Sequence, residues 1–131
     1  MKQKINVYVF GNEFLDQDKM AKEIMEEISL PGIAFVSCLS PNDLTKDGEK
    51  KPVILDVVAN INKVMLIPSV DRLEEQQSVS PHDMDLGFHL LLFKQLGMID
   101  DATIIGVPMY GNKQEIIKEV MALLVRLTTS L

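Results

Sequence analysis

The stretch "VYVFGNEFLDQDKMAKEIMEEI", Val7 to Ile28, decides how the chain is read. Val7–Phe10 is apolar and rich in β-formers, so it reads as a buried strand. Met20, Ala21, Ile24, Met25 and Ile28 recur at three- and four-residue steps, with Lys22, Glu23, Glu26 and Glu27 on the other side. That spacing predicts an amphipathic helix. A nucleotide-binding protein places a glycine-rich phosphate loop between such a strand and helix. Here the loop carries one glycine, Gly11, and three acids, Glu13, Asp16 and Asp18. Asp16 and Asp18 would repel a phosphate at close range, so the turn suits a cation.

The same alternation continues outward from this unit. Ile5–Phe10, Ile33–Cys38, Val53–Val58, Val64–Ile67 and Thr103–Val107 are short apolar runs bounded by glycine, proline or polar residues. Near-continuous apolar strands are expected where helices cover both faces of a sheet. Leu86–Leu96 is apolar nearly all round and predicts a deeply packed helix. Ile116, Ile117, Val120, Met121, Leu124 and Leu127 mark an amphipathic helix near the C-terminus. The polar stretches Ser40–Lys51 and Asp71–Pro81 read as loops. The pattern predicts an α/β three-layer sandwich: a central, twisted, mostly parallel sheet of about five strands between helices. No repeat or linker interrupts it, so residues 1–131 read as a single domain.

Bulk properties narrow the function. The 131 residues carry a net charge of −6, which argues against a nucleic-acid or anionic-membrane surface. The single cysteine, Cys38, can form no internal disulfide, and no apolar run reaches the length of a membrane span. The N-terminal apolar run is too short for a signal peptide, so a cytoplasmic location is expected. Phosphate-loop, dinucleotide and nucleophile-elbow motifs are all missing. The eight methionines read as core filling.

In open α/β sheets, ligands bind beyond the carboxyl ends of the strands. Three polar residues are expected there: Asp18 at the start of the first helix, Asp56 in the apolar strand VILDVV, and His82 just before the leucine-rich helix. A buried aspartate such as Asp56 is costly without a partner. Asp16 reads as a helix cap, Glu13 as solvated surface, His89 as a core or edge residue, and Cys38 as packed rather than nucleophilic. Two carboxylates and an imidazole suit a borderline divalent ion such as nickel or zinc, with coordination positions left open.

These segments, taken in order, resemble the nickel-iron hydrogenase maturation proteases. The carrying features are Gly11-Asn12 after the first strand, Asp18 opening a helix, the strand-borne Asp56, "SPHDMDLGFHLLLFKQLG" at Ser80–Gly97, and "IIGVP" at Ile104–Pro108 before a terminal helix. The resemblance spans nearly the whole chain. It implies an endopeptidase that removes the C-terminal peptide of a hydrogenase large-subunit precursor after nickel insertion. It also implies that Asp18, Asp56 and His82 contact nickel presented by the substrate, with the precursor as partner. Lys19 stands where the family usually has a glycine, and residues 59–62 lack the family's glycine. These departures motivate an alternative: a non-proteolytic, chaperone-like paralogue that binds metal or precursor. A flavodoxin-like small-molecule binder is a third reading, supported by fold class alone.

Overall fold

The computed structural model describes residues 4–73 and 86–129. Five strands form one sheet: β1 (Ile5–Val9), β2 (Ile33–Ser37), β3 (Val53–Val58), β4 (Met65–Ile67) and β5 (Thr103–Pro108). Among the described residues three α-helices accompany them: α1 (Met20–Glu27), α2 (Leu86–Gln95) and α3 (Lys113–Thr129). The strand order is β2-β1-β3-β5-β4. All neighbours run parallel except β4, which pairs antiparallel with β5 at one edge. The five apolar runs therefore became the five strands, each within about a residue of its expected ends.

Both faces of the sheet are covered, which explains why β3 is buried along its whole length. On one face Val7, Val9, Leu55 and Val57 pack with Ile24 of α1 and Val120 and Leu124 of α3. On the other, Tyr8, Phe10, Ile54 and Ile104 pack with Leu86, Leu90 and Phe93 of α2. The alternation of side chains along each strand sorts these residues between the layers. Lys113 at the start of α3 also reaches Glu27 of α1, at 3.4 Å, and ties the two helices of the first face together.

Helix α2 departs from its expected deep packing. Leu86, Leu90 and Phe93 are buried, but Phe88 is 59% exposed and Leu96, just beyond the helix, 64%. A helix lying on one face of a sheet buries a single stripe, and leucine outside that stripe stays in solvent. His89 sits at the edge of this stripe, with its ring perpendicular to that of Phe88 at 5.6 Å, as expected of an edge residue. The polar stretch after Leu39 also contains more order than a plain loop. Pro41–Leu44 forms a short 3-10 helix, and Val70–Arg72 forms another at the start of the second polar stretch.

Candidate functional site

The chain runs outward from β1 in both directions: β2 lies on one side of β1 and β3 on the other. Such a reversal of strand order opens a crevice beyond the carboxyl ends of the two diverging strands. Both described members of the expected site stand at this point.

Asp18 is delivered by a loop that closes on itself. The Asn12 side chain accepts the Phe14 N–H at 2.9 Å, the Leu15 N–H donates to the Asn12 carbonyl at 3.1 Å, and the Asp18 N–H donates to the Leu15 carbonyl at 2.9 Å. The ring is completed by the Asn12 N–H, which donates to the Asp18 carbonyl at 2.8 Å. Gly11 makes this closure possible. Its φ is +126°, and a Cβ there would lie 2.6 Å from the Asp18 carbonyl oxygen. No L-residue with a side chain fits such a place. The loop ends in a 3-10 helix, Asp16–Asp18, which turns Asp18 inward, where it is 2% exposed.

Asp16 does not cap a helix as expected. Neither short helix has a side-chain cap bond at its start, and the Asp16 carboxylate instead pairs with Lys19 at 3.4 Å. The i,i+3 spacing across the 3-10 turn brings these two charges together more readily than it brings Asp16 to a free N–H. Glu13 is exposed, as expected.

Asp56 is 4% exposed in β3, the strand next to β1. The Val57 N–H donates to its carboxylate at 2.9 Å, which offsets part of the cost of its burial. Val9 pairs with Leu55 and the Phe10 N–H donates to the Leu55 carbonyl, so Phe10, the residue before Gly11, lies beside Asp56 in the sheet frame. Asp18 is thus held against Gly11, one residue beyond the position that lies level with Asp56. His82 lies outside the described residues. Among the described residues, no three His, Cys, Asp or Glu side chains are grouped so as to hold a metal ion.

A second residue that the sequence placed wrongly is Lys22. Its helical position suggested a solvated face, yet it is only 7% exposed. Its Nζ donates to the Ser37 Oγ and, at 3.0 Å, to the Cys38 carbonyl at the end of β2. Burial pushes the Lys22 pKa down, against the opposing pull of nearby anionic groups that include Glu13 and Asp18. The available signal was its i+4 offset from Asp18, which puts both on one side of the helix start. Cys38 is packed as expected. Burial pushes its thiol up to about 11, too high for a thiolate nucleophile near neutral pH.

Asp18 and Lys22 open into a cleft of about 430 Å³ lined also by Gly11, Phe14, Leu15, Ser37 and Leu39. Phe14 and Leu39 are 87% and 84% exposed on its rim. The site therefore joins a buried cation and a buried carboxylate to an apolar mouth.

An open α/β sheet with acidic residues at its switch point defines a class of fold, and comparison with solved structures gives that class a name. The chain is similar to the nickel-iron hydrogenase maturation protease HycI from Thermococcus kodakarensis, with a TM-score of 0.61 at 15% identity over 97% of this chain and 94% of that one. It is also similar to the hydrogenase 2 maturation peptidase of a Thaumarchaeota archaeon, with a TM-score of 0.55 at 16% identity over 95% and 97%. An uncharacterized protein from Wolinella succinogenes matches with a TM-score of 0.57 at 13% identity over 97% and 94%. No protein-family model and no curated protein sequence matches the chain. The fold is that of the hydrogenase maturation proteases, as the order of motifs led us to expect.

Proposed function

We propose that the chain is a maturation endopeptidase that removes the C-terminal peptide of a hydrogenase large-subunit precursor and reads substrate-borne nickel through Asp18, Asp56 and His82. The observation that carries this reading is a pair of buried carboxylates, Asp18 in the loop after β1 and Asp56 in the neighbouring strand β3, beside the switch point of a maturation-protease fold. Isolated buried carboxylates are costly, and a site that gathers them has a use for negative charge. Two carboxylates and an imidazole fit a borderline divalent ion. A metal held by the substrate would polarise the scissile carbonyl or acidify a bound water. The chain's own task is to orient that centre: the closed loop behind Gly11 fixes Asp18, and the Val57 N–H steers the Asp56 carboxylate.

The test incubates the protein with nickel-loaded and nickel-free precursor and follows tail release by mass spectrometry. Release is expected only from loaded precursor. It should fall by about 100-fold or more in Asp18→Asn, Asp56→Asn and His82→Ala, the usual scale for losing a group that organises a reacting centre. Unchanged release in these variants would sink the assignment of the site.

The alternative, a precursor-binding chaperone without protease activity, was motivated by Lys19 and by the missing glycine at residues 59–62. Two observations weaken that motive. Lys19 pairs with Asp16 on the outer side of the loop, and Asn60 takes the positive φ of 65° that a glycine would otherwise supply. A stable complex with loaded precursor and no cleavage at any enzyme concentration would favour the chaperone reading.

A further inference from the structure

The feature of the cleft that the reading above leaves unused is Lys22. An ammonium offers three N–H donors. Two are taken, by the Ser37 Oγ and the Cys38 carbonyl, and the third has no acceptor among the described residues. This is a charged group more than nine-tenths buried, lining an open cleft, with a donor unspent. Buried donors are normally satisfied, so the spare N–H on the cleft wall suits a ligand that brings an oxygen.

The surroundings decide what kind of oxygen. Glu13 and Asp18 line the same cleft and make a free anion a poor guest. A neutral carbonyl meets no such repulsion. Ser37 is the last residue of β2, and among the described residues β2 is an edge strand paired with β1 alone. The parallel register, with Val36 opposite Tyr8 and the Cys38 N–H donating to Val9, turns the N–H and C=O of Phe35 and Ser37 away from β1. The cleft thus joins the outer main-chain edge of β2 at Ser37 to one buried cationic donor and an apolar rim from Phe14 and Leu39. Only an extended polypeptide carries the complement of all three: alternating N–H and C=O groups, a carbonyl to spare, and apolar side chains every second residue.

We propose that the cleft beside the end of β2 is a peptide-binding subsite, in which Lys22 anchors a main-chain carbonyl, the β2 edge pairs with the peptide backbone, and Phe14 and Leu39 grip an apolar side chain. Its link to maturation rests on the function proposed above: the guest would be the segment next to the scissile bond. Burial already opposes the Lys22 charge, so replacing it by an apolar side chain of similar length should leave the fold intact.

The experiment titrates the isotope-labelled protein with the capped peptide acetyl-Leu-Ala-Leu-Ala-Leu-amide and follows backbone amide shifts by NMR. Shifts are expected in residues 11–22 and 35–39. Lys22→Met and, separately, Leu39→Ser should weaken binding about tenfold or more; Leu39 is a surface residue, so its variant tests the cleft even if Lys22→Met folds poorly. In parallel, the Michaelis constant for loaded precursor should rise in both variants more than turnover falls. No shifts, or shifts elsewhere on the surface, would overturn the proposal. Peptide binding at the cleft with no precursor cleavage would uphold the subsite and refute the protease reading instead.

Discussion

Gly11 shows how much one residue can decide. Its φ of +126° and the 2.6 Å approach of the Asp18 carbonyl leave no space for a side chain. Gly11→Ala should therefore cost about 1–3 kcal/mol in stability, from backbone strain and overpacking together. Because the loop would relieve that strain by moving Asp18, precursor cleavage should fall further than stability does, by about 100-fold for a shift of ~1 Å. Urea denaturation and tail-release rates measured on the same preparation check both. A variant that is destabilised yet cleaves normally would show that Asp18 does not need its present position. Asp18 and Asp56 were legible in the sequence because carboxylates beside apolar strand ends are out of place in a core. Lys22 was not: helical periodicity assigns any lysine between glutamates to the solvated face. Only the fold reveals that the end of β2 passes over it and supplies two acceptors.

At the scale of elements, the short 3-10 helix Pro41–Leu44 sets the rim of the cleft. Asp43 fastens it, accepting the Leu39 N–H at 2.8 Å and the Ser40 N–H at 3.1 Å and pairing with Lys46 at 2.7 Å. The hydrogen bond from Lys46, with those two N–H groups, holds the Asp43 carboxyl down at about 2, below its ordinary 3.8. A carboxyl whose folded pKa is depressed stabilises fully above its unfolded pKa and loses that contribution as pH falls through the folded one. Stability from Asp43 should accordingly persist from neutrality to about pH 4 and drain away towards pH 2. Asp43→Asn should lower the urea midpoint at pH 7, on the scale of about 1 kcal/mol typical of a lost cap, and should flatten the decline between pH 4 and pH 2. Parallel acid profiles for the two proteins would exclude this role. The strands were readable because each is an unbroken apolar run. The exposed side of α2 was not, because hydrophobicity says how apolar a helix is and nothing of how many neighbours the topology gives it.

For the molecule as a whole, β5 is the strand on which the sheet closes. It lies between β3 and β4, and Gly106 pairs with Asp56 on one side and Met65 on the other. A Cβ at Gly106 would come within 2.7 Å of the Val58 side chain and 3.0 Å of Met65. Gly106→Ala is expected to lower stability by about 1–3 kcal/mol, and adding Val58→Ala should recover part of that loss by making room. Thermal unfolding of the single and double variants decides it; a double variant less stable than the sum of its parts would refute the packing explanation. The strand order also has a bearing on time. Asp56 belongs to β3, but β3 gains its second neighbour only when Thr103–Pro108 has been synthesised, nearly fifty residues later. Non-local parallel pairing of this kind folds slowly, because loop closure must be paid for before the contacts return anything. On a ribosome, the strand that carries Asp56 would stay an edge until β5 emerges, so the floor of the acidic crevice gains its full support late.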